Sequence, residues 1–322
     1  MNIIILLLLG SASTQGQELR RWPAAPQKAR IEYVSQILQI EDIIDKPSLF
    51  NRILAYFSTQ EPPKILRPMG LDATVDYLAI ADPTAGGVHL FNLAKAQYIF
   101  LTSGETLPER AALDVALAPE YIFVSYPENQ SIIAYDYQGN LVAQHRFEGG
   151  IERPTGLAYK HPYLYAVDTK SHQAYRLNST FKIVTRYGNH GSLESMLNYP
   201  TFICVTANDT VYISDTMNFR VQKYTQTGTW VNSIGEHGTV SGQFNRLKGL
   251  AVDQKNRIYA VDNSFDNIQI FNQQGRLLMY FGESGHAPGS MMMPTDIAIS
   301  GDLIYVSDTL NKRIQIFRML YD

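Results

Sequence analysis

The chemistry open to this chain of 322 residues rests on a few histidines, aspartates and arginines. Three histidines fall in or beside glycine-rich segments of similar composition. His190 lies in Gly188-Asn189-His190-Gly191, His237 in Gly235-Glu236-His237-Gly238, and His286 directly after Gly282-Glu283-Ser284-Gly285. Imidazoles brought together from separate loops can hold zinc. Asp114 and Asp296 stand at a recurring position that is Gly70, Gly156 and Gly249 in other segments. Carboxylates there could hold a cation such as calcium. Convergence of the three histidines with these aspartates would build a metal-dependent lyase or hydrolase site. The plain alternatives are solvated loop histidines and solvated carboxylates. Arg220 and Arg313 each close a run of Asp-Thr-x-Asn-x-Arg, starting at Asp215 and Asp308. Asp and Asn in such runs bond turn backbone. The arginine then either braces the neighbouring segment or meets a ligand.

Other chemistries find no support. There is no Gly-x-Ser-x-Gly turn, Walker loop, His-Glu-x-x-His or calcium-binding helix–loop–helix pattern. Catalytic groups can still come from distant loops. A net charge of −3 gives no basic face for nucleic acid or for an anionic membrane. The single cysteine, Cys204, excludes an internal disulfide and a cysteine zinc cluster. In the run Phe202-Ile203-Cys204-Val205 it reads as a small hydrophobe, with a reactive thiol as the alternative. Asn129, Asn178 and Asn208 fit glycosylation acceptors.

The elements that position these residues emerge from a repeat. Tyr199 to Gly282 contains nearly two copies of one unit, four short β-rich runs separated by turns rich in Gly, Asn and Asp. Further copies begin at Arg67, Arg110, Arg153 and Met293. The residue after the second run is Asp82, Tyr126, Asp168, Asp215, Asp262 and Asp308, spaced by 44, 42, 47, 47 and 46 residues. Four strands per unit at such a period predict an all-β propeller, and six units predict six blades. The sixth copy ends without its fourth strand. The β-like stretch 29–40, Ala-Arg-Ile-Glu-Tyr-Val-Ser-Gln-Ile-Leu-Gln-Ile, is its natural donor and would remove two exposed edges.

Three segments precede the repeats. Residues 1–16 hold the apolar run Ile3–Leu9 followed by small residues, too short to span a bilayer and suited to a cleaved export signal, although no Lys or Arg precedes the run. Residues 17–65 form a Pro-rich lead-in with the closing strand and an amphipathic helix. That helix is predicted over 47–60, where Leu49, Phe50, Ile53, Leu54 and Phe57 make one stripe. It either packs on its own domain or docks on a partner or membrane surface. Residues 66–322 are assigned to the propeller.

Pro-x-Gly-Leu-Ala, then Ile-Tyr-x-x-Asp-Thr-x-Asn-x-Arg-Ile-Gln-x-Phe, then Phe-Gly-x-x-Gly resembles the NHL repeat. Asp308 to Phe317 carries the motif most fully and Asp215 to Gln222 follows. Asn263 and Asn267 depart from it, and Pro83, Tyr126 and Pro127 interrupt it in the first two copies. The resemblance covers roughly residues 66–322 and implies a six-bladed propeller. Functionally it implies less, since members bind protein or RNA, act as sensors, or are lyases whose blade histidines share a metal. The Pro-rich lead and closing strand resemble those of bacterial exported propellers. The resulting expectation is an exported, periplasmic or extracellular, non-catalytic binding or assembly module. Its partner would be another exported protein, and the surfaces would be the histidine loops and the 47–60 helix. Calcium or zinc would be the cofactor if the metal reading held.

Overall fold

The computed structural model describes residues 20–43, 63–104, 111–147 and 150–320. The export signal and the 47–60 helix expected from the sequence lie outside these residues. Among the described residues there is no α-helix, only three single 3-10 turns at Ile40–Asp42, Pro127–Asn129 and Thr216–Asn218.

Six antiparallel sheets follow one another along the chain, one per repeat. Blade 1 is Leu71–Ala73, Tyr77–Asp82, Gly87–Asn92 and Gln97–Leu101. Blade 2 starts at Asp114, blade 3 at Pro154, blade 4 at Pro200, blade 5 at Leu247 and blade 6 at Pro294. The protein is thus an all-β six-bladed propeller. Successive strands pair with their neighbours, so each blade is a meander whose first strand lies innermost.

Blade 6 contributes Pro294–Ser300, Leu303–Asp308 and Arg313–Met319, and the strand Ile31–Ile37 pairs antiparallel with the last of these. A bulge between Tyr33 and Ser35 changes which face of the sheet the odd-numbered residues address. Ile31 and Tyr33 therefore pack toward blade 5, while Val34 and Ile37 pack toward blade 1. Arg21–Trp22 adds a short outer strand, and Trp22 packs edgewise on Phe317 with ring centroids 5.7 Å apart.

The hydrophobic core consists of six clusters, each at one interface between consecutive blades. A blade sheet buries both faces, which explains why its central strands are runs such as Ile-Tyr-Ala-Val rather than strict alternations. The marker aspartates lock the ends of these strands. Asp82, Asp168, Asp262 and Asp308 are fully buried, and each carboxylate accepts backbone N–H groups from the chain entering its own blade. Blade 2 has Tyr126 instead, whose hydroxyl meets that of Tyr135 at 3.0 Å.

The glycine loops are built around buried plugs. Gly188, Gly235 and Gly282 have φ of +67°, +82° and +88°, and a Cβ would strike Leu197, Phe244 or Met291. Those three side chains are fully buried. The Gly-x-x-Gly pattern is therefore explained by left-handed backbone over an apolar plug.

Candidate functional site

One residue from each blade reaches a common throat on the axis. These are Met69, Leu113, Thr155, Thr201, Lys248 and Thr295, the residues just before the recurring Gly or Asp position. All six line a cavity of about 690 Å³ that opens on the face of the glycine loops. Arg153, Tyr199, Met217, Phe219 and Arg246 form the rest of its wall on the blade 3–5 side. Its volume suits a small molecule.

The threonines of the throat have a structural duty. Thr155, Thr201 and Thr295 meet the hydroxyls of Thr169, Thr216 and Thr309 at 2.7–2.8 Å. Thr169, Thr216 and Thr309 then donate to Pro200, Leu247 and Pro68 carbonyls on the next blade. Asn263 does the same to Pro294. The Asp-Thr motif thus staples blade to blade through its threonine.

Blade 5 breaks the pattern. Lys248 takes the threonine position and is half-buried. Burial, with the nearby Arg246 charge adding to it, pulls its amine below the usual lysine range. Among the described residues neither Lys248 nor Arg246 has an ion pair, and neither has a side-chain hydrogen bond. Arg153 is paired with Glu128 at 2.9 Å on the surface.

Below the throat the axis narrows to a second space lined by Asp72, Asp114, Cys204 and Asp296. Each aspartate pins a neighbouring blade. Asp296 accepts from Leu71 N–H, Asp72 from Leu117 N–H and Asp114 from Leu157 N–H, at 2.7–2.9 Å. Glycines on the preceding blades make room, since a Cβ at Gly70 or Gly249 would lie 2.0 or 2.2 Å from the Asp114 or Asp296 Oδ1. Burial pushes Asp72 up to about 6, despite the N–H groups of Leu117 and Ala73. Burial drives Asp114 and Asp296 well above the ordinary carboxylate range, and charge among the three aspartates adds to it. Burial also raises the Cys204 thiol, and Asp296 reinforces this. Asp114 and Asp296 thus act as blade pins, a role added by the fold to the two considered from sequence.

The histidines do not converge with these aspartates, and none lines the cavity. His190 stacks on His172 with centroids 3.9 Å apart, and His237 packs on Phe219 at 4.2 Å. Nδ1 of His286 meets Oδ1 of Asn311 at 2.6 Å. Ser284, rather than His286, occupies the bridge position of His190 and His237. Only two of the three histidines are therefore equivalent. Among the described residues no group of three or more His, Cys, Asp or Glu is placed to hold a metal ion. Zinc or calcium has no ready-made ligand set there.

Arg220 and Arg313 also stay outside the cavity. Arg220 bonds Asp215 at 2.9 Å and the carbonyls of Leu193 and Met196 in the loop entering its blade. Arg313 is buried and bonds Asp308, Gln36, and the carbonyls of Ala287 and Ser290. Both brace the inter-blade loops. Asn129 is buried, while Asn208 is exposed.

Sequence reasoning passed over Lys248 and Arg246. The signal was available in the aligned copies, where Arg246-Leu247-Lys248-Gly249 replaces Arg153-Pro154-Thr155-Gly156.

The NHL repeat family model matches residues 197–224 and 291–317. The chain is therefore a six-bladed β-propeller carrying NHL repeats. A search of curated protein sequences finds no match. Solved structures share the fold at low identity. A virginiamycin B lyase from Staphylococcus aureus is 13% identical, with 80% of this chain and 96% of that one covered and a TM-score of 0.59. A luciferin-regenerating enzyme is 14% identical over 79% of this chain and 91% of that one, with a TM-score of 0.58. An auxiliary nutrient binding protein from Bacteroides thetaiotaomicron is 13% identical over 78% of this chain and 68% of that one, with a TM-score of 0.60. These likenesses show the fold alone.

Proposed function

We propose that the protein is an exported, non-catalytic binding module whose recognition site is the axial funnel. The observation that carries this reading is the cavity of about 690 Å³, to which every blade contributes a throat residue. Such concave sites on rigid scaffolds are where small molecules bind. Export is supported by the apolar run Ile3–Leu9 and the small residues after it. Among the described residues no helix is long and apolar enough to cross a membrane. The similarity to a nutrient-binding propeller fits the same reading.

The test is a thermal-shift screen of small molecules against wild type and Met217→Trp. Met217 is exposed and lines the funnel, so a larger side chain there narrows it without disturbing the core. Compounds that stabilise wild type but not the variant support the reading. Compounds that stabilise both equally bind elsewhere and overturn it.

A second reading, docking of another exported protein, draws on exposed apolar residues of the loops. Leu193, Met217, Val240 and Leu310 are all more than half exposed on the glycine-loop face. Pull-down with Leu193→Asp and Val240→Asp tests it. A partner retained equally by wild type and both variants removes that face as the contact.

A further inference from the structure

We infer that the funnel takes an amphiphilic oxyanion, a carboxylate or phosphate carried on an apolar body, with Lys248 and Arg246 as its anchors. The inference rests on the funnel being the binding site and adds the chemical class of the ligand.

Three features carry it. The first is the broken symmetry of the throat. Three of its six positions are threonines held by the neighbouring Asp-Thr hydroxyl, and Met69 and Leu113 are apolar. Lys248 alone brings a charge to the ring. It joins no blade to its neighbour through its side chain, because Asn263 makes the corresponding link to Pro294. A half-buried ammonium without a counter-charge is unfavourable, so its presence calls for an anion that arrives later.

The second feature is Arg246, two residues earlier in the chain. The two like charges lie close enough for Arg246 to disfavour the charged form of Lys248. Both open into one cavity with no carboxylate between them. Asp114 is the one acid on the cavity wall, and burial holds its carboxyl toward the neutral form. An oxyanion bridging ammonium and guanidinium would relieve their repulsion and form charge-assisted hydrogen bonds.

The third feature is the apolar wall on blade 4, next to the blade that carries the two cations. Phe202, Met217 and Phe219 border the same cavity. This surface suits an aliphatic or aromatic body, and it excludes a bare inorganic ion as the best ligand.

The test uses isothermal titration of the full chain with octanoate, octyl phosphate, octanol and octylamine. The expected result is that one or both anions bind at least tenfold more tightly than octanol, and that octylamine binds least. Which anion is preferred separates a carboxylate from a phosphate ligand. Lys248→Gln and Arg246→Gln should each remove most of that preference, and Lys248→Arg should keep it. Melting curves of each variant establish that it is folded.

Binding of octanol equal to that of both octanoate and octyl phosphate, unchanged in Lys248→Gln, would overturn the anion assignment while leaving the funnel as the site. Anion binding that survives Met217→Trp and both glutamine variants would overturn the funnel reading with it. Absence of binding by either anion up to millimolar concentration would overturn the inference as well.

Discussion

Replacing Asp72 by Asn should change how stability depends on pH. Asp72 sits at the axis, where burial raises its pKa from 3.8 to about 6. The folded protein therefore holds this proton more tightly than the unfolded chain does. Below about pH 4 both states are protonated and the group contributes no pH dependence. As pH rises through 6 the unfolded chain releases the proton first, so stability falls. Two pKa units correspond to about 3 kcal/mol. Asp72 is only half-buried, so solvent screening lowers this to about 2 kcal/mol, still a sizeable part of a total of about 5–15 kcal/mol. Asn removes the titration. Its amide can accept only one of the two N–H groups, from Leu117 and Ala73, that the carboxylate accepts. That loss is independent of pH. The variant should therefore start less stable than wild type at pH 4 and gain about 2 kcal/mol on it by pH 8. Asp114 and Asp296 are shifted the same way, so losing the Asp72 charge reinforces the gain. Urea unfolding midpoints of both proteins across this range provide the measurement. Their difference cancels oppositely shifted groups such as Asp82, where partners outweigh burial. A pH-independent difference would refute the reasoning. A wild-type slope that vanishes on adding calcium would instead place a cation among the three aspartates.

Four further outcomes follow from the same contacts. If Lys248 anchors an anion, the bound ligand raises its depressed pKa, so affinity should be greatest where carboxylate and amine are both charged and fall as pH rises through the free amine's pKa. Titration of octanoate across alkaline pH reads this, and Lys248→Gln should flatten it. Ile31→Ala with Ile37→Ala should cost about 2–5 kcal/mol each, because both side chains are at most 2% exposed in different inter-blade clusters. An unchanged melt would remove the strand's closing role. Arg313→Ala should cost about 3–5 kcal/mol by leaving Asp308 buried without its ion pair, with a smaller loss for the more exposed Arg220. Equal losses in chemical denaturation would contradict this. Gly249→Ala should destabilise by about 1–3 kcal/mol, because its Cβ would also lie 2.5 Å from the Asp296 Cα, which trimming the aspartate cannot relieve. A melt of the double variant with Asp296→Ala that returns to the Asp296→Ala value would show otherwise.

The sequence alone determined the blade count and the strand order. A repeat of four β-runs leaves few ways to bury both faces of every sheet, and the marker aspartates recur because each must satisfy the same backbone groups at the start of its blade. It also located the closing strand's segment, but not which faces Tyr33 and Val34 would take. The bulge decided that both are used, on opposite faces. The histidines illustrate the limit. Their spacing in the chain suggested three equivalent positions, yet a two-residue offset puts Ser284 where His286 was expected. The Arg of the motif was legible as a brace, while its threonine was not, because the carbonyl it reaches belongs to the next blade. Lys248 and Arg246 became meaningful only in three dimensions. A charge's significance depends on whether a partner lies nearby, and around a closed ring those neighbours come from blades far apart in sequence. Local pattern therefore fixes the repeating backbone, and ring closure decides which side chains remain free to meet a ligand.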